Sequence, residues 1–315
     1  MCTILTLQGC AQQPTQSESP LPAVKAETPF IPPKKIPQPA QVVIFVSEDI
    51  PAYSEVAVSL AKLLGRKANI QYLESNPLEN LKAAAKFKNE ANTQVVSIGL
   101  NAAIAAKTLN NKQAIFCQVY NYQDYALLSS KHKGVSMLPS LPKTFGTWRA
   151  LSPDITDVGI ISGPGMDDVI QAAKIAAQSY GIKLHHVAVN TDKEYQYAYK
   201  KLSSKVQGYW LLPDNRVLSE NILRDLMNFS VRNSKHVVVF NDELLKLGGL
   251  LSVGINTQDI AQQVFERLEQ ARDSDGVPGP DLVYPHKIKI RINTIMAQRL
   301  NIKIPKQYAK YADAP

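Results

Sequence analysis

The chain has 315 residues, which exceeds the usual length of one domain and suits two. Hydrophobic residues make up 45% and charged residues 20%, which fits a globular protein with a sizeable core, and no apolar stretch approaches the roughly 18–20 residues of a membrane helix. The net charge of +8 comes from basic residues spread without a long run, so it favours a solvated basic surface over a nucleic-acid-binding patch.

A cysteine near the N-terminus belongs to the first recognisable motif. Residues 7–10 read Leu-Gln-Gly-Cys and resemble the lipobox of bacterial lipoproteins, in which the cysteine thiol is lipidated. We therefore predict lipidation at Cys10, with residues 1–10 as the remainder of a lipoprotein export signal. Its apolar part, residues 4–7, is shorter than the roughly 7–15 residues of a secretory signal, so we expect the natural start to lie upstream. The alternative is a tail with an incidental cysteine.

Residues 11–40 are rich in proline and poor in large apolar side chains. Proline lacks the backbone N–H that helices and sheets use, and proline-rich segments favour extended polyproline II structure. We predict a semi-rigid tether between the lipid anchor and the folded part. A proline-rich ligand for a partner module is the alternative interpretation.

From residue 41 onward, short apolar runs alternate with stretches of helical periodicity. Strands are predicted at 42–46, 70–73, 95–98, 114–119 and 134–137. Helices are predicted at 51–64, 77–87, 102–109 and 141–151. The alternation begins again at residue 158, with strands at 158–161, 183–189, 208–212, 236–240, 250–254 and 286–292. The helices of this half are predicted at 166–180, 193–202, 217–231, 257–271 and 294–300.

Strands that alternate with helices of this length predict parallel βαβ units with right-handed crossovers. The predicted fold class is therefore α/β, with two doubly wound parallel-sheet lobes joined by a hinge. We assign residues 41–152 and 256–275 to the first lobe. Residues 153–255 and 281–305 are assigned to the second lobe.

Four segments, taken in order, resemble one protein family. Residues 208–215 read Gly-Tyr-Trp-Leu-Leu-Pro-Asp-Asn, and residues 141–165 place a helix and a proline before a buried strand. Residues 248–256 form an apolar run that begins with two glycines, and residues 292–305 read as an Asn-capped helix followed by Ile-Lys-Ile-Pro. Together they are similar to the tryptophan-transporter-like substrate-binding proteins of ABC systems, which have the type I periplasmic binding-protein fold.

The resemblance implies a function for the whole chain. It implies capture of a small polar or aromatic molecule between the lobes for an ABC permease, on the periplasmic side of a bacterial envelope. It further implies a monomer that meets the membrane only through its lipid anchor and binds no nucleic acid. Residues 47–51 and 120–125 depart from the family pattern, so the resemblance does not specify the ligand.

Motifs of common catalytic and metal sites are missing from the sequence, including GxSxG, HExxH, GxxxxGK[ST] and GxGxxG. His185 and His186 are neighbours on a predicted strand, so their side chains point to opposite faces and predict no shared metal site. Cys117 lies in an apolar run and is predicted to be a buried thiol. We expect no enzyme activity, no cofactor and no metal.

Ligands of doubly wound sheets bind beyond the carboxyl ends of the strands. Polar side chains that follow predicted strands are therefore possible ligand contacts, and Asp124 and Asp242 lie in such positions. Ten further residues of this kind are the candidate ligand-binding residues. They are Ser47, Glu48, Asn101, Tyr120, Tyr122 and Ser136 in the first lobe, and Ser162, Asp214, Asn215 and Asn241 in the second.

Asp214 and Asn215 are the strongest candidates, because a carboxylate accepts from a ligand amine and an amide both donates and accepts. They would also suit the N-cap of the helix predicted from residue 217. The tyrosines at 120, 122 and 125 would stack on a flat ligand or pack between the lobes. For Asn101, a role as the cap of the predicted helix is favoured over contact with a ligand.

Two other functions fit parts of the same sequence. The tyrosine-rich segment 120–125 and the proline-rich tether would suit a binding-protein fold that acts as an envelope interaction, assembly or sensory lipoprotein. An enzyme is disfavoured, because no nucleophile–base pair or metal-ligand constellation is recognisable.

Overall fold

A computed structural model describes residues 41–90, 92–272 and 276–313, which all belong to one compact unit. The predicted lipidation site at Cys10 and the proline-rich segment 11–40 lie outside the described residues. In the described part of the chain, no helix combines the length and the apolar character needed to cross a membrane.

The first half of the chain alternates strands and helices as the hydrophobic pattern predicts. The strands are β1 (Gln41–Val46), β2 (Ala68–Tyr72), β3 (Thr93–Ile98), β4 (Ala114–Cys117) and β5 (His132–Val135). The helices are α1 (Pro51–Leu64), α2 (Pro77–Ala85), α3 (Leu100–Lys107) and α4 (Leu141–Leu151), and a 3₁₀ turn spans Gly65–Lys67.

The second half repeats this alternation and then adds short pieces. The strands are β6 (Asp157–Ser162), β7 (Lys183–Ala188), β8 (Gly208–Trp210), β9 (His236–Val239), β10 (Leu251–Gly254), β11 (Leu282–Val283), β12 (Lys289–Asn293) and β13 (Ala312–Asp313). The helices are α5 (Asp167–Gln178), α6 (Asp192–Leu202), α7 (Glu220–Arg232), α8 (Thr257–Arg272) and α9 (Thr294–Arg299), with 3₁₀ turns at Asp242–Leu245 and Lys306–Tyr311.

These strands form two sheets. The first has the order β11-β5-β4-β3-β1-β2 and is parallel throughout its described pairs. The second has the order β13-β12-β10-β9-β8-β6-β7, in which β10 and β12 pair antiparallel and the other described neighbours are parallel. The predicted α/β class with two parallel-dominated sheets is confirmed.

Both faces of each sheet are covered by helices, so the central strands are apolar on both sides. On β1, Val42, Ile44 and Val46 pack in one core cluster with residues of α1 and α8. Val43 and Phe45 point to the opposite face and join the cluster beneath α2 and α3. This alternation follows from the two-residue period of a strand.

Capping residues explain several helix starts. The Asn76 side chain accepts from the Leu78 N–H at 3.0 Å, and Pro77 follows at the first helical position of α2. Thr191 caps α6 by accepting from the Glu194 N–H at 3.2 Å. Helix α7 begins at Glu220 behind the Ser219 cap, so the predicted start at residue 217 is wrong by three residues. Val217 and Leu218 extend the apolar pattern but lie in the preceding turn.

Two elements join a different sheet from the one predicted from the sequence. Helix α4, which we assigned to the first lobe, contributes Phe145 and Trp148 to the core cluster of the second sheet. Strand β11, which we assigned to the second lobe, pairs with β5 in the first sheet. Helix α8 packs against α1 in the core cluster of the first sheet. The local sequence of a helix or of a two-residue strand does not indicate which of the two sheets it will pack against or pair with.

Candidate ligand-binding cleft

A cavity of about 570 Å³ opens between the segments that follow the strands of the two sheets. Its lining is aromatic, amide-bearing and apolar. From the first lobe come Tyr53, Leu100, Gln118, Val119, Tyr120, Asn121, Tyr125 and Met137; from the second come Pro213, Asp214, Asn215, Leu218, Leu223 and Phe240. The cavity therefore lies where doubly wound sheets bind their ligands, beyond the carboxyl ends of the strands.

The segment after β4 provides much of the first-lobe wall. Gln118 has φ 57°, a left-handed conformation that is uncommon for a residue with a side chain and is often found at binding sites. Its Nε2 donates to the Ala52 carbonyl oxygen at 3.3 Å, which ties the segment to the start of α1. Val119 is buried, and Tyr120 and Asn121 face the cavity.

The hydroxyl of Tyr120 has an unusual environment. It is buried, and it has no hydrogen-bond partner among the described residues. Burial raises the pKa of Tyr120, and the nearby charge of Asp214 raises it further, so the hydroxyl stays protonated. A buried hydroxyl without a partner costs roughly 1–3 kcal/mol. Its donor and its acceptor are therefore unused among the described residues.

Asp214 stands opposite and has several partners. Its Oδ2 accepts from the Gly163 N–H at 2.9 Å and from Arg216 Nη2 at 2.8 Å, while its Oδ1 accepts from Arg216 Nε at 2.8 Å. The side chain is 1% exposed. The hydrogen bonds that Arg216 donates to Asp214 raise the pKa of Arg216, so the guanidinium stays charged. Both carboxylate oxygens of Asp214 thus already accept hydrogen bonds from protein groups.

Arg216 also connects the two lobes. Its Nη1 donates to Asp124 Oδ2 at 2.6 Å, and Asp124 lies in the first-lobe segment after β4. Gly165, before α5, has φ +74°, and a Cβ there would lie 2.5 Å from Asp124 Oδ1. Glycine is therefore required for this close approach. The resulting chain of contacts, Asp124–Arg216–Asp214, is called the interlobe bridge below.

Three predicted serines are buried and bonded within the protein. Ser47 Oγ accepts from the Ala102 N–H at 2.9 Å, and Ser136 Oγ accepts from the Leu138 N–H at 3.0 Å. Ser162 Oγ lies 3.0 Å from the Gly163 carbonyl oxygen and 2.9 Å from His186 Nε2. None of these serines lines the cavity. They hold the strand-end segments in place.

The remaining predicted residues divide between the surface and the core. Glu48, Asn101 and Asn241 are exposed and lie outside the cavity lining. The N-cap of α3 is Gly99 and Ser47 supplies the hydrogen bond, so the capping role expected for Asn101 is wrong. Asn241 caps the 3₁₀ turn by accepting from the Glu243 N–H at 3.0 Å.

Tyr122 is 7% exposed and packs against Phe116 at 5.8 Å between ring centroids. Its burial raises its pKa to about 12. Of the sequence-predicted residues, Tyr120, Asp214 and Asn215 reach the cavity. Cys117 is a buried free thiol, as predicted, and burial raises its pKa to about 12.

Several cavity residues were missed by the sequence. Tyr53 lies on α1 and Phe240 follows β9, and neither position was marked by a motif. Asn121 follows the same predicted strand as Tyr120, so the same signal would have found it, whereas Gln118 lies within the predicted strand 114–119 and follows the observed strand, which ends at Cys117. Arg216 was missed although it follows Asp214 and Asn215 directly. In the described part of the chain, no group of three or more His, Cys, Asp or Glu is placed to hold a metal ion.

Comparison with known proteins identifies the family. Residues 62–314 match the family model described as ABC transporter substrate binding protein. The chain belongs to the ABC transporter substrate-binding protein family. Members of this family bind ligands. No curated protein matches the sequence.

Solved structures share the fold of this substrate-binding protein at low sequence identity. An ABC domain from Streptococcus pneumonia in complex with L-Trp is 18% identical with a TM-score of 0.59, over 86% of this chain and 99% of that one. The ligand-free, open form of a substrate-binding protein with adhesive properties from Clostridium difficile is 16% identical with a TM-score of 0.64, over 87% and 99%.

A periplasmic ribose ABC transporter protein from Conexibacter woesei is 12% identical with a TM-score of 0.54, over 85% of this chain and 96% of that one. These likenesses establish the type I periplasmic binding-protein fold. At such identities they carry no information about the ligand of this protein.

Proposed function

We propose that this protein captures a small molecule in the cavity between its lobes and delivers it to an ABC permease. The observation that carries the proposal is the position of the cavity, at the carboxyl ends of the strands of both sheets. Family membership supports the same role. Closure of two lobes around a ligand is the usual motion of this architecture.

The chemistry of the lining favours an uncharged polar or aromatic molecule. Among the described residues that line the cavity, Asp214 is the only ionised one, and Arg216 neutralises it. Tyr53, Tyr120, Tyr125 and Phe240 offer aromatic faces. The amides of Gln118, Asn121 and Asn215 offer donors and acceptors. A flat molecule with several amide-like or hydroxyl groups satisfies both features.

The interlobe bridge supports a closing role for Arg216. The guanidinium holds Asp214 of its own lobe with two hydrogen bonds and reaches Asp124 of the other lobe with a third. Its position is therefore set by the second lobe, and closure needs only Asp124 to approach. Ligand binding between the lobes and formation of the Arg216–Asp124 contact would stabilise the same closed form.

A pair of asparagines tests the location of the site. A library of uncharged aromatic and polar metabolites is screened by native mass spectrometry and thermal shift, and the affinity of any hit is measured by calorimetry. Asn215→Ala removes an amide from the cavity, and we expect about tenfold weaker binding. Asn101→Ala is the control, because both residues are exposed but Asn101 lies outside the lining. Equal loss in both variants, or no hit at all, would refute the proposal.

The proposed location is the cell envelope, with the protein lipidated at Cys10 and held away from the membrane by residues 11–40. The Leu-Gln-Gly-Cys motif and the proline-rich composition support this. Metabolic labelling with an alkyne-bearing fatty acid should mark the native chain and fail to mark Cys10→Ala. Cys2 serves as the matched control, and labelling that survives Cys10→Ala but not Cys2→Ala would contradict the anchor.

Two measurements test delivery to a permease and separate it from the alternative envelope-interaction role. Uptake of an identified ligand by cells should fall when the gene is deleted and return with the native chain but not with Asn215→Ala. A stable envelope complex that persists in Asn215→Ala, without any ligand, would instead favour the interaction role.

A further inference from the structure

A second concave surface lies on the other edge of the second lobe, beside β7. Among the described strands, β7 is the last of its sheet, and it pairs with β6 along its whole length. The N–H groups of Lys183 and Val189, at either end, bond to the Thr156 and Ser162 carbonyl oxygens of the β6 side. Because alternate residues of a strand point to opposite sides, the N–H and C=O groups of residues 184, 186 and 188 face the open edge.

Helix α6 runs beside this edge and turns it into a groove of about 720 Å³. Five consecutive residues, 185–189, line the groove, which is the pattern expected of an open strand edge rather than of one sheet face. Ala198 and Leu202 provide apolar contacts from the helix. The cavity between the lobes shares none of these residues.

The helix side of the groove is basic. Lys193, Tyr197, Lys201 and Lys205 follow one another at four-residue spacing along α6 and the turn after it, and all four line the groove. The Tyr197 side chain is 68% exposed, and Lys201 Nζ lies 5.7 Å from its ring centroid. The acidic residue of the lining, Glu194, already accepts from the Asn190 N–H at 2.8 Å.

We infer that this groove, named the β7–α6 groove, binds an extended acidic peptide segment of a partner protein, which adds as a further strand to β7. The open edge supplies backbone hydrogen bonds in register, as in other complexes formed by strand addition. The row of lysines selects acidic side chains on the facing side of the peptide. Tyr197 and Leu202 contact its apolar side chains.

Lysines also occur at sheet edges for another reason, because a charge on an edge strand discourages pairing with other chains. Here the three groove lysines lie on the α6 side and not on β7, whose groove-lining residues are His185, His186, Val187 and Ala188. Their placement leaves the backbone of β7 accessible and puts positive charge on the opposite wall of the groove. The groove is concave, which suits a narrow peptide better than a flat anionic membrane.

The test uses the full chain and a fluorescent eight-residue peptide that alternates glutamate with valine. We expect saturable binding by fluorescence polarisation that weakens when salt rises from about 50 to about 500 mM. A peptide with lysine in place of glutamate should not bind. A glutamate peptide with two central prolines should bind roughly tenfold more weakly, since proline cannot donate to the sheet.

Matched protein variants locate the binding. Lys201→Glu and Lys205→Glu should each weaken binding about tenfold, whereas Lys62→Glu on α1 makes the same charge change in the first lobe and should leave it unchanged. Hydrogen exchange should slow at the amides of residues 184, 186 and 188 when the peptide is bound. Asn215→Ala should have no effect on the peptide.

Three results would overturn the inference. The first is equal binding of the glutamate peptides with and without the two prolines, and no slower exchange at the β7 amides. Such a result would mean that charge attraction alone causes the binding. The second is an equal loss in Lys62→Glu. The third is Lys201-dependent binding to vesicles of phosphatidylserine with no binding of the peptide, which would assign the lysines to a membrane.

Discussion

The two walls of the cleft differ in how their polar groups are satisfied. On the first-lobe wall, the Tyr120 hydroxyl is buried without a partner among the described residues. On the second-lobe wall, Asp214 accepts from Gly163 and twice from the Arg216 side chain. A polar residue at a strand end is therefore not a ligand contact because of its position alone. Hydrogen bonds that the protein has already formed decide what is left for a ligand.

The sharpest test of the second-lobe wall, where the polar groups are hydrogen-bonded, is Asp214→Ala. This change leaves the Gly163 N–H without its acceptor and removes the buried partner of Arg216, so we expect the free energy of unfolding to fall by about 3–5 kcal/mol. Urea denaturation measures it. Asn215→Ala, at the next position and exposed, should stay within about 0.5 kcal/mol. Similar losses in the two variants would remove the distinction between the walls.

A change of pH should separate stability from recognition. Burial lowers the pKa of His236 to about 4 from an ordinary value of 6.5, so the unfolded chain binds a proton that the folded chain excludes between those values. The free energy of unfolding should therefore fall as pH drops from 6.5 to 4, by on the order of 2 kcal/mol from this residue. Thermal or urea unfolding at several pH values measures the slope.

His236→Gln is the matched variant for that slope. Glutamine can accept from Trp148 Nε1, which lies 3.5 Å from His236 Nδ1, but it does not titrate. We expect a flatter dependence of stability on pH, while ligand affinity stays constant from pH 7 to 5.5 in both proteins, because Tyr120 and Arg216 have raised pKa values and keep their protons there. An unchanged slope in His236→Gln would show that other groups cause it.

Tyr120→Phe tests the first-lobe wall, where the hydroxyl has no partner among the described residues. It should raise the stability of the ligand-free protein and lower the affinity for the ligand. Removing a buried hydroxyl without a partner should raise the free energy of unfolding of the ligand-free protein by about 1 kcal/mol. The same change should weaken ligand binding about tenfold, if the ligand is the missing partner. Differential scanning calorimetry and isothermal titration measure the two effects.

Tyr209→Phe is the control for this variant. The Tyr209 hydroxyl donates to the Tyr199 carbonyl oxygen at 2.6 Å, so its removal should destabilise the protein by about 1 kcal/mol and leave affinity unchanged. Loss of stability in both variants would mean that the Tyr120 hydroxyl also has a partner, and the contrast between the walls would disappear.

The smallest effect is expected where the walls meet. Asp124→Asn weakens its contact with Arg216, but the two side chains are 33% and 24% exposed, so we expect a loss of only about 0.5 kcal/mol. That change should increase the ratio of open to closed molecules about twofold, measured by small-angle scattering or by fluorescence energy transfer between the lobes. Glu79→Gln alters a more exposed ion pair within α2 of the first lobe and should leave the ratio unchanged. An equal shift in both would argue against an interlobe role.

Much of the fold could be predicted because its signals are local. The bounds of α1 and α4 agree with the prediction, since each has a proline within its first two residues and clear apolar periodicity. Strands β11 and β13 are two residues long and depend on pairing with distant segments, so no local pattern marks them. The sheet to which α4 belongs was likewise decided by which core could accept Phe145 and Trp148.

Local sequence patterns predict the alternation of strands and helices, the α/β class and the edges of the sheets at which polar residues collect. Which of those residues face the cavity depends on the packing of segments that are distant in the chain. Gly163 lies 51 residues from Asp214 in the chain, and Asp124 lies 92 residues from Arg216. Whether a carboxylate is available to a ligand depends on such distant partners, because a buried charge bonds to the donors that folding brings to it.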